Sequence, residues 1–259
     1  MFSYERGMIQ TTEETMTMQE LQSLEFDHAN KQLILLVCEN NLQTLRAYVS
    51  ALASGHAVML LAADMNEELL QRIITQYEPK WIVGLADYTG YVQDDEKLVR
   101  EKEVDMEIHN DLALLLSTSG TTGSQKFVRL SYENLRSNAQ SIVEYLEIDE
   151  NERAVMNLPL SYSYGMSIVN SHLLAGATIL LTDESVMEKS FWEFVKEQCA
   201  TSIAGVPFTY QMLQRIGLTK MDLPHLKTLT QAGGRLNEKL VRHFGEWALA
   251  NDKRFYVMY

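Results

Sequence analysis

The sequence predicts an α/β fold built as two stacked, parallel-rich α/β subdomains, and three observations carry that prediction. Short apolar runs alternate with amphipathic stretches of helical spacing along almost the whole chain. Several of these runs are apolar at every position, as strands covered on both faces are. The alternation is β-α-β, and parallel neighbours need a crossover that is usually a helix.

The first series begins with Gln32–Cys38 (QLILLVC), a continuous apolar run. Leu42–Ala53 follows, with Leu45, Tyr48, Val49 and Leu52 on one helical face. Val58–Leu61 is a second buried strand. Glu67–Tyr77 is a helix carrying Leu69, Leu70, Ile73, Ile74 and Tyr77, and Trp81–Val83 is a third strand. Tyr88–Asn110 is rich in charge, including Asp94, Asp95, Glu96 and Lys97, and reads as a solvated surface connection. It divides a first subdomain, residues 1–110 with an N-terminal extension, from a second, residues 111–259.

The second series opens on the buried strand Leu112–Leu116, followed by a loop and Phe127–Leu130. Ser131 is placed to cap a helix with Glu133 in its first turn. Leu135, Ala139, Ile142, Val143 and Leu146 form the helical stripe. Further strands are read at Ala154–Asn157, Thr178–Leu181, Ser202–Ala204, Lys227–Thr230 and Phe255–Tyr259. The helices between them include Tyr164–Leu174, Pro207–Ile216 and Asn237–Leu249.

Composition narrows the function. The 259 residues are 46% hydrophobic and carry a formal net charge of −13, so phosphate backbones and anionic lipid surfaces repel the chain. Nucleic-acid and membrane partners are therefore disfavoured. Cys38 and Cys199 form no CxxC pair and read as free thiols in a reducing, cytoplasmic setting. Met1–Glu14 has no signal-type apolar run, and Ala57–Ala63 is too short to span a bilayer. The six histidines show no metal-ligand spacing, and no metal ligand is assigned within the chain. Ser161 lacks a nucleophile-elbow context.

The chemistry concentrates in Ser117-Thr118-Ser119-Gly120-Thr121-Thr122-Gly123-Ser124-Gln125-Lys126, directly after a buried strand. Glycines let backbone amides approach a phosphate. Thr118, Ser119, Thr121 and Thr122 add hydroxyl donors, and Lys126 adds positive charge. Phe127 follows the lysine, so the Walker pattern and a P-loop NTPase are disfavoured. On the residues alone, a Gly/Ser/Thr-rich turn without a ligand stays open.

The loop resembles the signature of the adenylate-forming family: acyl-CoA synthetases, peptide-synthetase adenylation domains and firefly luciferase. Thr118 through Gly123 and Lys126 match its pattern. Gln125 stands where proline is usual, and Phe127 where glycine is usual. The resemblance runs from about Lys31 to Tyr259. Leu158-Pro159-Leu160-Ser161-Tyr162-Ser163-Tyr164-Gly165 is similar to the motif at the acid pocket, with Tyr162, Tyr164 and Gly165 lining it. Gly205-Val206-Pro207 resembles the helix start beside that pocket. Gln231-Ala232-Gly233-Gly234-Arg235 resembles the stretch that lies against adenine, and Tyr259 the tyrosine that stacks on it.

The resemblance implies ATP and Mg²⁺ as cofactors. It implies a small fatty or aryl carboxylic acid as substrate, and CoA or an acyl or peptidyl carrier protein as thiol acceptor. The family's Mg²⁺-holding glutamate, its β-barrel part and its small C-terminal domain have no counterpart in these 259 residues. The chain is therefore expected to be the leading part of a longer ligase, to bind nucleotide weakly and not to turn over. A non-catalytic nucleotide-binding module and an amino-acid adenylation domain are the alternatives.

Overall fold

The computed structural model describes residues 7–27, 29–104, 106–117 and 126–258. Among them the first part of the chain forms β1 (Met8–Gln10), β2 (Thr15–Thr17), α1 (Met18–Leu21), β3 (Leu33–Cys38), α2 (Leu42–Ala53), β4 (Ala57–Ala62), α3 (Glu67–Tyr77), β5 (Trp81–Val83), β6 (Tyr91–Asp94), β7 (Lys97–Arg100) and β8 (Leu112–Ser117). The remainder forms β9 (Phe127–Ser131), α4 (Tyr132–Leu146), β10 (Arg153–Met156), α5 (Ser163–Leu174), β11 (Thr178–Leu181), α6 (Lys189–Glu197), β12 (Ser202–Gly205), α7 (Pro207–Ile216), β13 (Thr228–Gln231), α8 (Glu238–Ala250) and β14 (Arg254–Val257).

Five of the helices, α1 to α4 and α8, start where a side chain satisfies one of their first amide donors. Asn41 accepts from the Thr44 amide and Asn66 from the Leu69 amide. Ser131 and Asn134 close a reciprocal capping box at the head of α4. Pro207 sits at the first turn of α7, where its missing N–H is not needed.

Two seven-stranded sheets result, with orders β6-β7-β5-β3-β4-β8-β9 and β14-β13-β12-β10-β11-β1-β2. Pairing within the central strands is parallel, and antiparallel pairs occur at the outer strands. Among the described residues neither sheet closes into a barrel. Sheet membership cuts across residue 110: β8 pairs with β4, placing Leu114 opposite Val58, while β1 pairs with β11, placing Met8 opposite Thr178. These pairings are decided by which hydrophobic face fits where, which periodicity along the chain does not encode.

The charge-rich segment after Tyr88 is more structured than a solvated connection. It holds the β6–β7 hairpin, which extends the first sheet through Trp81 opposite Val99. Lys97 and Arg100 are buried. Lys97 pairs with Asp94 at 2.9 Å, and Arg100 donates to the carbonyls of Lys102 and Glu78. Long charged side chains bury their stems when their heads find partners, and that hides the strand from a charge-based reading.

Alternate residues of each central strand belong to different cores. Ile34, Leu36 and Cys38 of β3 join Ala154 and Met156 of β10, Ile179 and Leu181 of β11, and the helices α1, α2 and α5 in one cluster. Leu33, Leu35 and Val37 instead pack with Ile73 and Ile74 of α3. Val155, Leu180, Ile203 and Leu229 pack with α6, α7 and α8. Helices therefore cover both faces of both sheets, and the shared middle layer joins them. Each fully buried Leu or Ile contributes about 1.5–3 kcal/mol of transfer free energy.

A polar contact crosses this middle layer. Tyr48 of α2, 1% exposed, donates to Oδ1 of Asn170 on α5, 2% exposed, at 3.0 Å. Burial raises the Tyr48 phenol far above its ordinary value, so it remains a neutral donor. Tyr48→Phe leaves the Asn170 oxygen buried without its donor. We expect a loss of about 1–3 kcal/mol in denaturant unfolding, with the midpoint lowered and the slope unchanged.

Candidate functional site

Three connections leave the carboxyl ends of neighbouring strands in the second sheet, the edge where open α/β sheets bind ligands. One runs from β10 through Pro159 and Tyr162 into α5. Another is Val206-Pro207 between β12 and α7. The third is Ala232-Gly233-Gly234 after β13.

The glycines show how closely these connections meet. A Cβ at Gly233 would overlap the Tyr162 hydroxyl and lie 3.2 Å from the Val206 side chain. A Cβ at Gly234 would lie 3.3 Å from the Pro207 ring. The backbone φ angles are +79° and +150°, values that glycine adopts without strain. Gln231, fully buried, donates from Nε2 to the carbonyls of Ala232 at 3.0 Å and Gly234 at 2.9 Å, fixing the turn. Among the described residues its Oε1 has no hydrogen-bond partner, nor has Oδ1 of Asn157 just beyond β10.

Tyr164 opens α5 and donates to Oγ1 of Thr230 at 2.7 Å. Tyr210 of α7 donates to the Thr230 carbonyl at 2.9 Å. Burial holds both phenols above their ordinary values, so both act as donors at neutral pH. Gly165 is required by packing: a Cβ there would overlap the Pro159 carbonyl oxygen and come within 2.9 Å of that of Leu158.

Beneath this rim lies a cavity of about 450 Å³ between α4, α5 and the inner face of the second sheet. Its sheet wall is built of small side chains, Ala154, Ser202, Ala204, Thr228 and Thr230. Tyr162 and Gly233 stand at the carboxyl edge, with Ile142, Leu146 and Ile168 along the sides. Glu152, His172 and Arg254 stand at the amino edge. The volume falls in the ~300–1,000 Å³ range of small-molecule sites.

The structure thus brings Tyr162, Tyr164, Gly165, Pro207, Gly233 and Gly234 together at one sheet edge. Arg235 is set apart from the cavity wall, its side chain 88% exposed and paired with Glu238 at 3.3 Å. Lys126 is described and exposed at the start of β9. Thr118, Ser119, Gly120, Thr121, Thr122, Gly123 and Tyr259 lie outside the described residues. The roles of Gln231 as anchor of the glycine turn, Thr230 as partner of two tyrosines and His172 as cavity wall are not carried by the sequence motifs. A glutamine before Gly-Gly is the one local signal, since the other two act through partners distant in the chain. No group of three His, Cys, Asp or Glu is placed to hold a metal ion among the described residues, and no helix there is long and apolar enough to cross a membrane.

The family model described as AMP-binding enzyme matches residues 21–259. Tyrocidine synthase 2 from Brevibacillus parabrevis is 25% identical over 231 residues, covering 83% of this chain and 6% of that protein. 2-Succinylbenzoate–CoA ligase from Staphylococcus aureus is 29% identical over 166 residues, covering 61% of this chain and 33% of the ligase. The crystal structure of ATP-bound MatB from Rhodopseudomonas palustris superposes with a TM-score of 0.73 at 21% identity, over 98% of this chain and 57% of that one. This chain therefore spans a fraction of the length of each.

Two glycines in helices separate packing from propensity. Gly165→Ala must displace the Pro159 carbonyl, so a loss of about 1–3 kcal/mol is expected. Gly245→Ala in α8 meets nothing nearer than the Phe255 ring at 3.9 Å, so a gain of about 0.5–1 kcal/mol is expected. Thermal unfolding of the two variants checks both signs.

Proposed function

This chain belongs to the AMP-binding enzyme family, whose model it matches from residue 21 to 259, and from that premise we propose that it carries the nucleotide and acid sites of an AMP-forming carboxylate ligase. The observation that carries the reading is the cavity whose carboxyl-edge wall is formed by Tyr162 and Gly233, in contact with each other at the rim of the second sheet.

In this reading a carboxylic acid enters the cavity with its carboxylate at the Tyr162–Gly233 rim. The substrate ATP lies with its adenine along Gly233-Gly234 and, by the sequence pattern, its phosphates on Thr118–Lys126. A carboxylate oxygen bonds to the α-phosphorus and the bond to pyrophosphate breaks, giving an acyl-adenylate. No covalent intermediate with the protein is needed. The reacting groups are both anionic, so positioning and charge stabilisation are the tasks. Lys126 and the loop amides lower the repulsion. Arg235, paired with Glu238 on the surface, follows Gly233-Gly234 and is proposed as a further nucleotide contact.

Mg²⁺ would neutralise triphosphate charge when bound. Among the described residues no group of three His, Cys, Asp or Glu is placed to hold it. Transfer of the acyl group to a thiol, of CoA or of a carrier protein, is the reaction that would consume the adenylate. Among the relatives, 2-succinylbenzoate–CoA ligase is named for CoA as the acceptor.

The acid we propose has a neutral body, fatty or aryl, and is not an α-amino acid. Gly165, Met166 and Ser167, which follow the pocket tyrosine, carry no charge to pair an ammonium. The carboxylate that does line the cavity, Glu152, stands at the opposite edge and is bonded to Thr201 and Arg254. An unpaired buried ammonium is costly.

Lys126→Ala should weaken ATP by roughly 1–3 kcal/mol, the range for a charge-assisted hydrogen bond. The readouts are a calorimetric ATP titration of this chain and acid-dependent pyrophosphate exchange by the full-length ligase it is proposed to lead. Unchanged ATP affinity refutes the phosphate site. Exchange driven by free amino acids, with none from simple acids, refutes the substrate class.

A further inference from the structure

The far end of the cavity has a chemistry of its own. α5 runs from Tyr164 at the carboxyl edge of the sheet to His172 near its amino edge, eight residues and about 12 Å on. The walls between are largely apolar, and the floor is polar.

The hydrogen bonds of that floor can be accounted for atom by atom. Arg254 spends its donors on the protein: Nε on Thr228 Oγ1 at 3.0 Å, Nη2 on Glu152 at 3.1 Å, and Nη1 on the Leu146 carbonyl and Glu147. Ser171 donates to the Ser167 carbonyl at 2.7 Å. His172 has Nδ1 2.9 Å from the Ile168 carbonyl oxygen. A carbonyl can only accept, so Nδ1 carries the proton and Nε2 is left with its lone pair. Burial holds the imidazole pKa below its ordinary value, against the pull of Glu152, so the ring is neutral.

His172 is a wall of the cavity and makes no hydrogen bond from Nε2 to the described residues. The nearby hydroxyls of Ser202 and Thr228 can give as well as take, whereas this ring nitrogen can only accept. Glu152, its other polar neighbour, is also an acceptor. The Glu152–Arg254 pair offsets charge at the floor, so a neutral donor suits it better than an ion.

Building on the acid-activating reading above, we propose that the substrate is an acid bearing a hydroxyl at its far end, and that His172 is the residue that selects it, accepting the hydroxyl proton at Nε2. The hydroxyl oxygen can in turn accept from Ser202 or Thr228. The substrate thereby spans the cavity from rim to floor, and an extended ω-hydroxydecanoyl chain has the required length.

The test is a pair of calorimetric titrations of the chain, with decanoate and with ω-hydroxydecanoate. The hydroxy acid is expected to bind roughly three- to tenfold more tightly, the yield of one net hydrogen bond. In His172→Phe, which keeps a ring but lacks the acceptor, the order should reverse. In His172→Gln, whose amide oxygen reaches the place of Nε2, the preference should return. The wild-type pair suffices if His172→Phe fails to fold. Equal affinities, or a preference for decanoate in the wild type, overturn the proposal and leave the acid pocket standing. Binding of neither acid overturns the pocket reading and this proposal with it. A preference unchanged in folded His172→Phe removes His172 from the role.

Discussion

The constraint on which this architecture depends is that the two sheets share one covered face. Neither inner face can meet water: Ile34 and Leu36 on one side, Met156 and Ile179 on the other, are at or near zero exposure. A single layer of helices must satisfy both, which is why α2 and α5 bury nearly every side of their circumference. A helix in that position has no polar face to spare, so its polar groups must be partnered internally. The Tyr48–Asn170 bond between α2 and α5 answers that need. Ser167 and Ser171 meet the same demand by donating back to the preceding turn of their own helix.

The cavity arises from a departure from that close packing. Over most of the sheet the inward residues are large, but Ala154, Ser202, Ala204 and Thr228 leave a trough beneath α4 and α5. Tyr164 closes part of it from the rim by reaching Thr230, and the rim itself is held by Gln231, whose amide ties down the glycine turn. A binding site on this sheet is therefore a matter of side-chain size on one face, with the positions of its walls fixed by elements that pack for stability on the other.

Much of this was legible in the sequence because the signals were local. The parallel strands Leu33–Cys38 and, after Thr178, Ile179–Leu181 are apolar at every position, and Pro207 marks the start of α7 unaided. The family resemblance rested on glycines and tyrosines whose spacing is fixed by turns, and the match over residues 21–259 agrees with it. What stayed hidden depends on distant partners. β1 and β2 are three residues each and gain their stability from β11. α6 carries Phe191, Trp192, Phe194 and Val195 on one face, but lysines and glutamates interrupt the run. The β6–β7 hairpin was masked by Lys97 and Arg100, buried only because Asp94 and the Glu78 carbonyl receive them. In the site, nothing near His172 in sequence announces that Glu152 and Arg254 will sit beside it.

The pairing of Met8–Gln10 with Thr178–Leu180 has a consequence for how the molecule is made. The first sheet draws all its strands from residues 81–131 and the β3–β4 pair before them, so it can assemble while later residues are still being added. The segment that forms β1 and β2 leaves the ribosome well before β11, the strand with which the other edge of β1 pairs. During synthesis it must wait as an unpaired edge, the kind of surface that invites wrong pairing. Contacts so far apart along the chain also close slowly. Thr17, which caps α1 through its box with Glu20, gives the waiting segment a local fold that needs no distant strand.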